Sequence, residues 1–256
     1  MFKKIGYSLL TGLLPFSPAA AQEIERMETD RPDQTECPFI VPKKWIQAEM
    51  GFNFEKNSAS SSTFVYPTLL SKYGISKRLE FRLITSYLSE REEGIANAIT
   101  TTGLEPVEIG FKAALWKEKG LLPRTSLIAH LAFPTIASEK FKGEKAAPNF
   151  VFTMQHTLSR TMAVGYNLGA SWDGFSNIPA WIYRVSPGLN IGKKYYAYIE
   201  AFGFLQKNEP ASHNIDGGLA YYISDDTKLD ISAGKGLSAS SMSYYVALGF
   251  SFRFKL

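Results

Sequence analysis

From Lys44 onward, apolar and polar positions alternate with a period of two, the mark of extended strands with two unlike faces. The last segment is the plainest. Tyr244, Val246, Leu248, Phe250, Phe252, Phe254 and Leu256 fall on one face, and Tyr245, Ala247, Gly249, Ser251, Arg253 and Lys255 on the other. A helix would spread the first set around its axis, so a strand is predicted. The same pattern predicts a strand over 45–54, where Ile46, Ala48, Met50, Phe52 and Phe54 oppose Gln47, Glu49, Gly51 and Asn53. It recurs over 79–87, 107–115, 126–133, 162–173, 183–191, 214–223 and 228–234. Segments 63–73, 149–158 and 195–206 alternate less cleanly; in the last, Tyr196, Tyr198, Glu200 and Phe202 share a face. The total is about twelve strands, each near the ~9–11 residues that cross a bilayer at a tilt.

The connections alternate as well. Gly74–Lys77, Lys117–Pro123, Ser159–Thr161, Gly192–Lys194 and Ser224–Asp226 read as mostly tight turns. Lys56–Ser62, Ser89–Gly103, Thr135–Pro148, Gly174–Ile178, Lys207–Ser212 and Gly236–Met242 read as mostly longer loops. Short periplasmic turns facing longer external loops are the habit of an up-and-down antiparallel barrel of the outer membrane. An even strand number also returns both ends of the barrel to the periplasm. The competing architecture is a soluble β-sandwich or closed ligand-binding barrel, with the apolar face inward. Period two alone does not say which face is inside. Two features favour the transmembrane β-barrel. Many polar-face positions are Gly, Ala or Ser rather than long charged residues, and the apolar face carries aromatics near strand ends (Tyr87, Trp172, Tyr183, Tyr221, Tyr244, Phe254), as interfacial girdles do.

Composition narrows the choice. In 256 residues, 14% are aromatic and 20% charged, too apolar for a disordered chain. No run of about 18 apolar residues exists, so helical spans are not expected. Lys plus Arg is 28 and Asp plus Glu is 24, a formal +4. Residues 1–21 read as a secretory signal, with Lys3 and Lys4 as the basic start, an apolar stretch over Ile5–Phe16, and cleavage after Ala21. Removing both lysines leaves 26 against 24, or +2. A nucleic-acid partner bound through bulk positive field is therefore not expected. Cys37 is the one cysteine and reads as a small packed thiol. The resulting organisation is a signal over 1–21, an N-terminal periplasmic or lumenal segment over 22–43, and a barrel over 44–256.

Specific motifs then add a resemblance. Thr29-Asp30-Arg31-Pro32-Asp33-Gln34-Thr35-Glu36 precedes the first strand, Trp45-Ile-Gln-Ala-Glu49-Met-Gly51-Phe. Later come Tyr73-Gly-Ile-Ser-Lys-Arg-Leu-Glu80-Phe-Arg82, Gly103-Leu-Glu-Pro-Val-Glu-Ile-Gly-Phe-Lys112, Asp216-Gly-Gly-Leu-Ala-Tyr and Leu229-Asp230-Ile-Ser-Ala-Gly234. Together they resemble the bacterial outer-membrane family named for a meta-pathway of phenol degradation, often called simply transporters. The resemblance covers nearly the whole chain after the signal, and Thr-Asp-Arg-Pro with its spaced follow-on motifs is its most specific part. It implies an outer-membrane barrel of a Gram-negative bacterium, with uptake of small solutes, aromatic ones among the candidates. Outer-membrane barrels commonly end in an aromatic residue, whereas this chain ends Phe254-Lys255-Leu256; Leu256 keeps the outward face, so recognition of the last strand by the barrel-assembly machinery is still expected.

If the apolar faces meet outer-membrane lipid, then Glu49, Glu80, Arg82, Glu108, Lys112, Arg184, Glu200, Asp216, Lys228, Asp230, Arg253 and Lys255 point inward, six acids and six bases. A lone buried charge costs several kcal/mol, so this balance predicts a paired network. With Tyr196, Tyr198 and Phe202 also inside, a narrow or partly blocked lumen is expected. Segment 22–43 is expected either at or in the periplasmic mouth, with Asp30, Arg31 and Asp33 from its motif as candidates and Arg31 and Asp33 joining the network, or as a loose tail.

Catalysis finds little footing. His130 is expected inward, His156 on the apolar face and His213 in an external loop. No Ser lies two residues from His156, no Gly-x-Ser-x-Gly occurs, and the histidines lack metal-ligand spacing. Gly234-Lys-Gly236 lacks the spacing of a phosphate loop. No cofactor or metal is expected. Two classes remain: a narrow diffusion channel for small solutes, and a non-conducting structural or binding barrel.

Overall fold

The structure, a computed structural model, describes residues 26–94 and 97–256; the signal expected over 1–21 lies outside the described residues. The strands are β1 (Trp45–Lys56), β2 (Ser61–Gly74), β3 (Leu79–Glu93), β4 (Ala98–Leu104), β5 (Val107–Trp116), β6 (Arg124–Phe133), β7 (Ala147–Thr157), β8 (Met162–Ser171), β9 (Ala180–Ile191), β10 (Tyr195–Gln206), β11 (Ser212–Ser224), β12 (Thr227–Gly236) and β13 (Tyr244–Lys255). Neighbours pair antiparallel around the ring, and the pairings of β1 with β13 and of β2 with β3 close it.

Thirteen strand segments fill twelve positions. Leu79–Ile84 of β3 pairs with β5, and Tyr87–Glu93 of the same strand pairs with β4. The wall strand is interrupted at Glu105-Pro106, where proline has no N–H to give to a ladder. Above the break, β3 and β4 rise as a hairpin. This corrects the loop expected over Ser89–Gly103: Thr100, Thr101 and Thr102 are β-branched and pair with Arg91, Glu90 and Ser89, a strand pattern without apolar alternation. It is polar on both faces, so period two in hydrophobicity did not reveal it.

The partition of side chains is inverted relative to a soluble protein. Glu80, Arg82, Lys112 and Glu200 are buried, while Leu168, Ile199 and Leu248 each expose more than half their surface outward. A soluble barrel would bury the second set and wet the first. Turns 75–78, 158–161, 192–194 and 225–226 lie at the end where the barrel begins and finishes. Longer connections, 134–146 and 172–179 among them, lie at the other end. No helix among the described residues is long and apolar enough to cross a membrane. The inner wall also holds small apolar patches, among them Ile128 with Val151 and Ile182, and Phe202 with Tyr245 and Ala247.

Candidate functional site

The lumen is occupied by the chain itself. Segment 26–43 enters beside the β11–β12 turn, where the Met27 amide donates to the Asp225 carbonyl (2.7 Å), and returns to the same end, where Lys43 bridges Gly74. Between these points it climbs to about mid-height and descends. Pro32, Pro38 and Pro42 keep it out of any ladder. Its backbone is therefore short of partners in a place without bulk water, and the barrel wall supplies them.

Wall carboxylates and amides receive the segment's N–H groups. Asp30 donates its amide to Glu49 (2.9 Å), Gln34 to Glu200 (2.7 Å), Glu36 to Asn167 (2.8 Å) and Val41 to Glu80 (2.8 Å). Wall donors meet its carbonyls: Tyr198 that of Pro32 (3.2 Å), Lys112 that of Cys37 (2.9 Å), Ser126 that of Pro38 (2.7 Å), and Lys228 that of Arg31. The inward ladder is, in this state, a mould for the segment.

Charge pairing is concentrated on the β1–β6 side. Asp30 sits among three buried cations: Lys72, Arg82 (2.9 Å) and Lys112 (3.0 Å). Arg82 also reaches Glu36 and Glu80, each at 3.0 Å, and Lys72 reaches Glu49 at 2.6 Å. Burial alone would neutralise Asp30, but Lys112, Lys72 and Arg82 outweigh it and hold the carboxyl well below the usual carboxylate range. On the β12 side, Arg31 pairs with Asp230 at 3.0 Å. Its guanidinium lies across Gly51 and Gly249, which face each other on β1 and β13. A Cβ at Gly51 would stand 2.1 Å from Arg31 Nη1, and one at Gly249 would stand 2.5 Å from Arg31 Nε.

The opposite wall is acidic. Glu200 and Asp216 face each other across β10 and β11, and Asp33 lies near them, accepting from Ser186 (3.1 Å) and Tyr196 (3.3 Å). Tyr245 donates to Asp216 and Thr35 to Glu200. Burial pushes the Asp33 carboxyl up to about 7 against the pull of Lys228. Glycines make room for these rings: Tyr196 lies over Gly188, Tyr198 over Gly218 and Tyr245 over Gly234. The even balance of lumenal charge expected from sequence is thus unevenly distributed, paired on one wall and acid-rich with tyrosine on the other.

Two cavities open above the segment, toward the long loops. One, about 320 Å³, lies between β10, β11, β13 and β1, with Gln34 at its floor and Phe202, Phe204, Asn214 and Tyr245 in its wall. The other, about 440 Å³, lies on the opposite side, lined by Ile84, Ser86, Glu105, Glu108, Lys145 and Trp172.

The residues singled out from sequence separate accordingly. Glu49, Glu80, Arg82, Lys112, Tyr196, Tyr198, Glu200 and Asp230 touch or surround the segment rather than open lumen. Glu108 lines the larger cavity, with His130 Nδ1 3.7 Å from its carboxylate. Arg184 points to Asn167 (3.5 Å) and Glu36 (3.8 Å). Arg253 bonds Asp226 in the β11–β12 turn (2.6 Å) and stacks on Trp45, so it belongs to the rim; Lys255 is exposed at the end of β13. Lys72, which sequence reasoning missed, is central. It lies in the poorly alternating β2, whose register shifts between Val65 and Thr68, and a bulge resets the inward parity. Glu36 was readable only as part of a tail. Trp172 lies past the end of β8 over the larger cavity instead of in an outward girdle.

The histidines are engaged structurally. His130 Nε2 accepts from Arg82 Nε at 2.9 Å. His156 Nε2 donates to the Leu121 carbonyl (3.1 Å), so its Nδ1 accepts from Tyr166 (3.1 Å). His213 is in β11, not in a loop, with Tyr183 at 2.7 Å. Burial pushes the Cys37 thiol up, which makes it a poor nucleophile. Among the described residues no group of three His, Cys, Asp or Glu is set to hold a metal.

A closed antiparallel barrel, apolar outside and charged within, is a barrel of the outer membrane. The chain belongs to the family described as "Putative MetA-pathway of phenol degradation", whose sequence profile matches residues 29–254. No curated protein matches the sequence. Among solved structures, an outer-membrane channel from Pseudomonas putida F1 is similar, with a TM-score of 0.66 at 11% identity, covering 84% of this chain and 97% of that one. The KdgM porin (0.50, 8%, covering 80% and 99%) and the NanC porin (0.52, 10%, covering 81% and 98%) share the fold.

Proposed function

We propose that the protein is a narrow channel for small solutes, single-ring aromatics among them, exported as a precursor cleaved after Ala21. In this reading its N-terminal segment blocks the periplasmic half of the lumen, and its outward apolar face meets outer-membrane lipid. The observation that carries it is the pair of cavities stacked on a plug that the wall grips, between the plug's two ends, through side chains rather than by strand pairing. A plug bonded in this way can leave without opening the barrel, because no ladder hydrogen bond of the wall depends on it. Displacement of 26–36 would expose Glu49, Arg82, Arg184, Glu200 and Tyr198 to the lumen, where cations meet carboxylates and rings stack on rings. Transport is favoured over catalysis, since His156 has a tyrosine and a carbonyl for partners and, among the described residues, no Ser, Thr or Cys hydrogen-bonded to its ring. The last strand, β13, is assigned to recognition by the assembly machinery.

The second reading, a non-conducting barrel, draws on the density of ion pairs around Asp30. Planar-bilayer conductance separates the two. The intact protein is expected to conduct weakly and a variant lacking residues 22–36 several-fold more. Silence from both, in protein shown to be folded by heat-modifiable migration, would leave the non-conducting reading.

A further inference from the structure

The smaller cavity has a chemistry of its own. Its described lining contains Glu55 and no Lys, Arg or His. Asn214 is 2% exposed, yet its Oδ1 has no hydrogen-bond partner; the Oδ1 of Asn53, in the same wall, has none either. Buried acceptors without donors are costly to leave so, and native proteins pair the great majority of them. Tyr245 does not supply a donor, since its hydroxyl hydrogen is spent on Asp216. Behind this wall stand Glu200 and Asp33. The nearby base on β9, Arg184, is turned to Asn167 and Glu36. Phe202 and Phe204 add aromatic surface, and Met242 an apolar one.

We propose that this cavity binds a small organic ammonium ion, an amine carried on a single apolar ring. An ammonium brings hydrogen-bond donors and no acceptors, which suits two orphan amide oxygens and a carboxylate. Phenylalanine faces attract a cation and also cover the ring that carries it. A solute carboxylate would meet Glu55 and two acceptors, with only neutral amide and hydroxyl donors in the lining and no cation to offset the charge. A volume of about 320 Å³ is at the low end of the roughly 300–1,000 Å³ typical of small-molecule pockets. Amide oxygens and ring faces suit an organic cation better than a bare metal ion.

The proposal rests on the channel reading only in placing the cavity at the external mouth. Calorimetric titration of the full-length barrel in detergent tests it with benzylammonium, benzyl alcohol and benzoate, and requires no conduction. Benzylammonium is expected to bind at least about tenfold more tightly than benzyl alcohol, and benzoate more weakly than either. Glu55→Gln and Asn214→Leu are each expected to weaken benzylammonium binding roughly tenfold, with folding checked by heat-modifiable migration. Equal binding of the three ligands by the unmodified protein would overturn the proposal, as would no binding of benzylammonium or affinity unchanged in both folded variants. Amine binding by a silent barrel would sink the channel reading and leave this site standing; conduction without amine binding would do the reverse.

Discussion

Asp30 shows how much one residue of the plug carries. Its carboxylate accepts from Lys72, Arg82 and Lys112, and from the Cys37 amide across the loop (2.9 Å). Removing one member of a buried charge network costs about 3–5 kcal/mol, since the others stay buried with too little counter-charge. Asp30→Ala is therefore expected to unseat the plug, seen as a conductance several-fold above that of the intact protein with the barrel still folded. Asp33 works in the opposite sense. Its carboxyl is raised to about 7 by burial, and Asp216 pushes the same way. The stability its protonated form adds is present below the ordinary carboxylate value and is lost as pH rises through about 7. Asp30, being depressed, contributes above that ordinary value and loses its contribution as pH falls. The plug apex, bounded by Ser186, Tyr196, Lys228, Glu200 and Asp216, is thus expected to loosen between pH 5 and pH 8. Open probability in bilayers should rise over that interval, and Asp33→Asn should flatten the dependence.

At the scale of elements, small residues on one strand seat long ones from elsewhere. Gly51 and Gly249 sit opposite each other, and the Arg31 guanidinium crosses both on its way to Asp230. Gly249→Val would drive a side chain into Arg31 and Asp230 alike. The expected outcome is a barrel of normal heat-modifiable migration whose residues 26–36 become cleavable by protease added from the periplasmic side. The protected segment of the intact protein is the reference. β4 and β5 make a different point. A wall position can be shared by two strand segments when proline ends the ladder and the partner strand, β3, runs on unbroken. Interrupting one strand leaves the ring closed.

For the whole molecule, the plug adds buried charge to the interior without adding ladder bonds to the wall. Deleting 22–36 is accordingly expected to leave the barrel folded, with its urea midpoint lowered only modestly, while conductance changes several-fold. A loss of folding would mean that the plug is part of the wall's stability instead of a guest in it.

Strand alternation, the even number of wall positions and the identity of most inward charges could be read from residues alone, because a strand places successive side chains on opposite faces whatever lies beyond them. Glu49, Arg82, Lys112, Glu200 and Asp216 were legible for that reason. Lys72 was not, because one bulge in β2 shifts parity over the rest of the strand, and the polar β3–β4 hairpin was not, because alternation of hydrophobicity needs one greasy face. What only the tertiary structure decided is who stands opposite whom across the lumen. The Asp30 cluster joins the N-terminal segment to β1, β2, β3 and β5, and the acidic wall of β10 and β11 is completed by Asp33. Those contacts depend on barrel closure and on the path of a proline-broken loop, and neither is a local property of the chain.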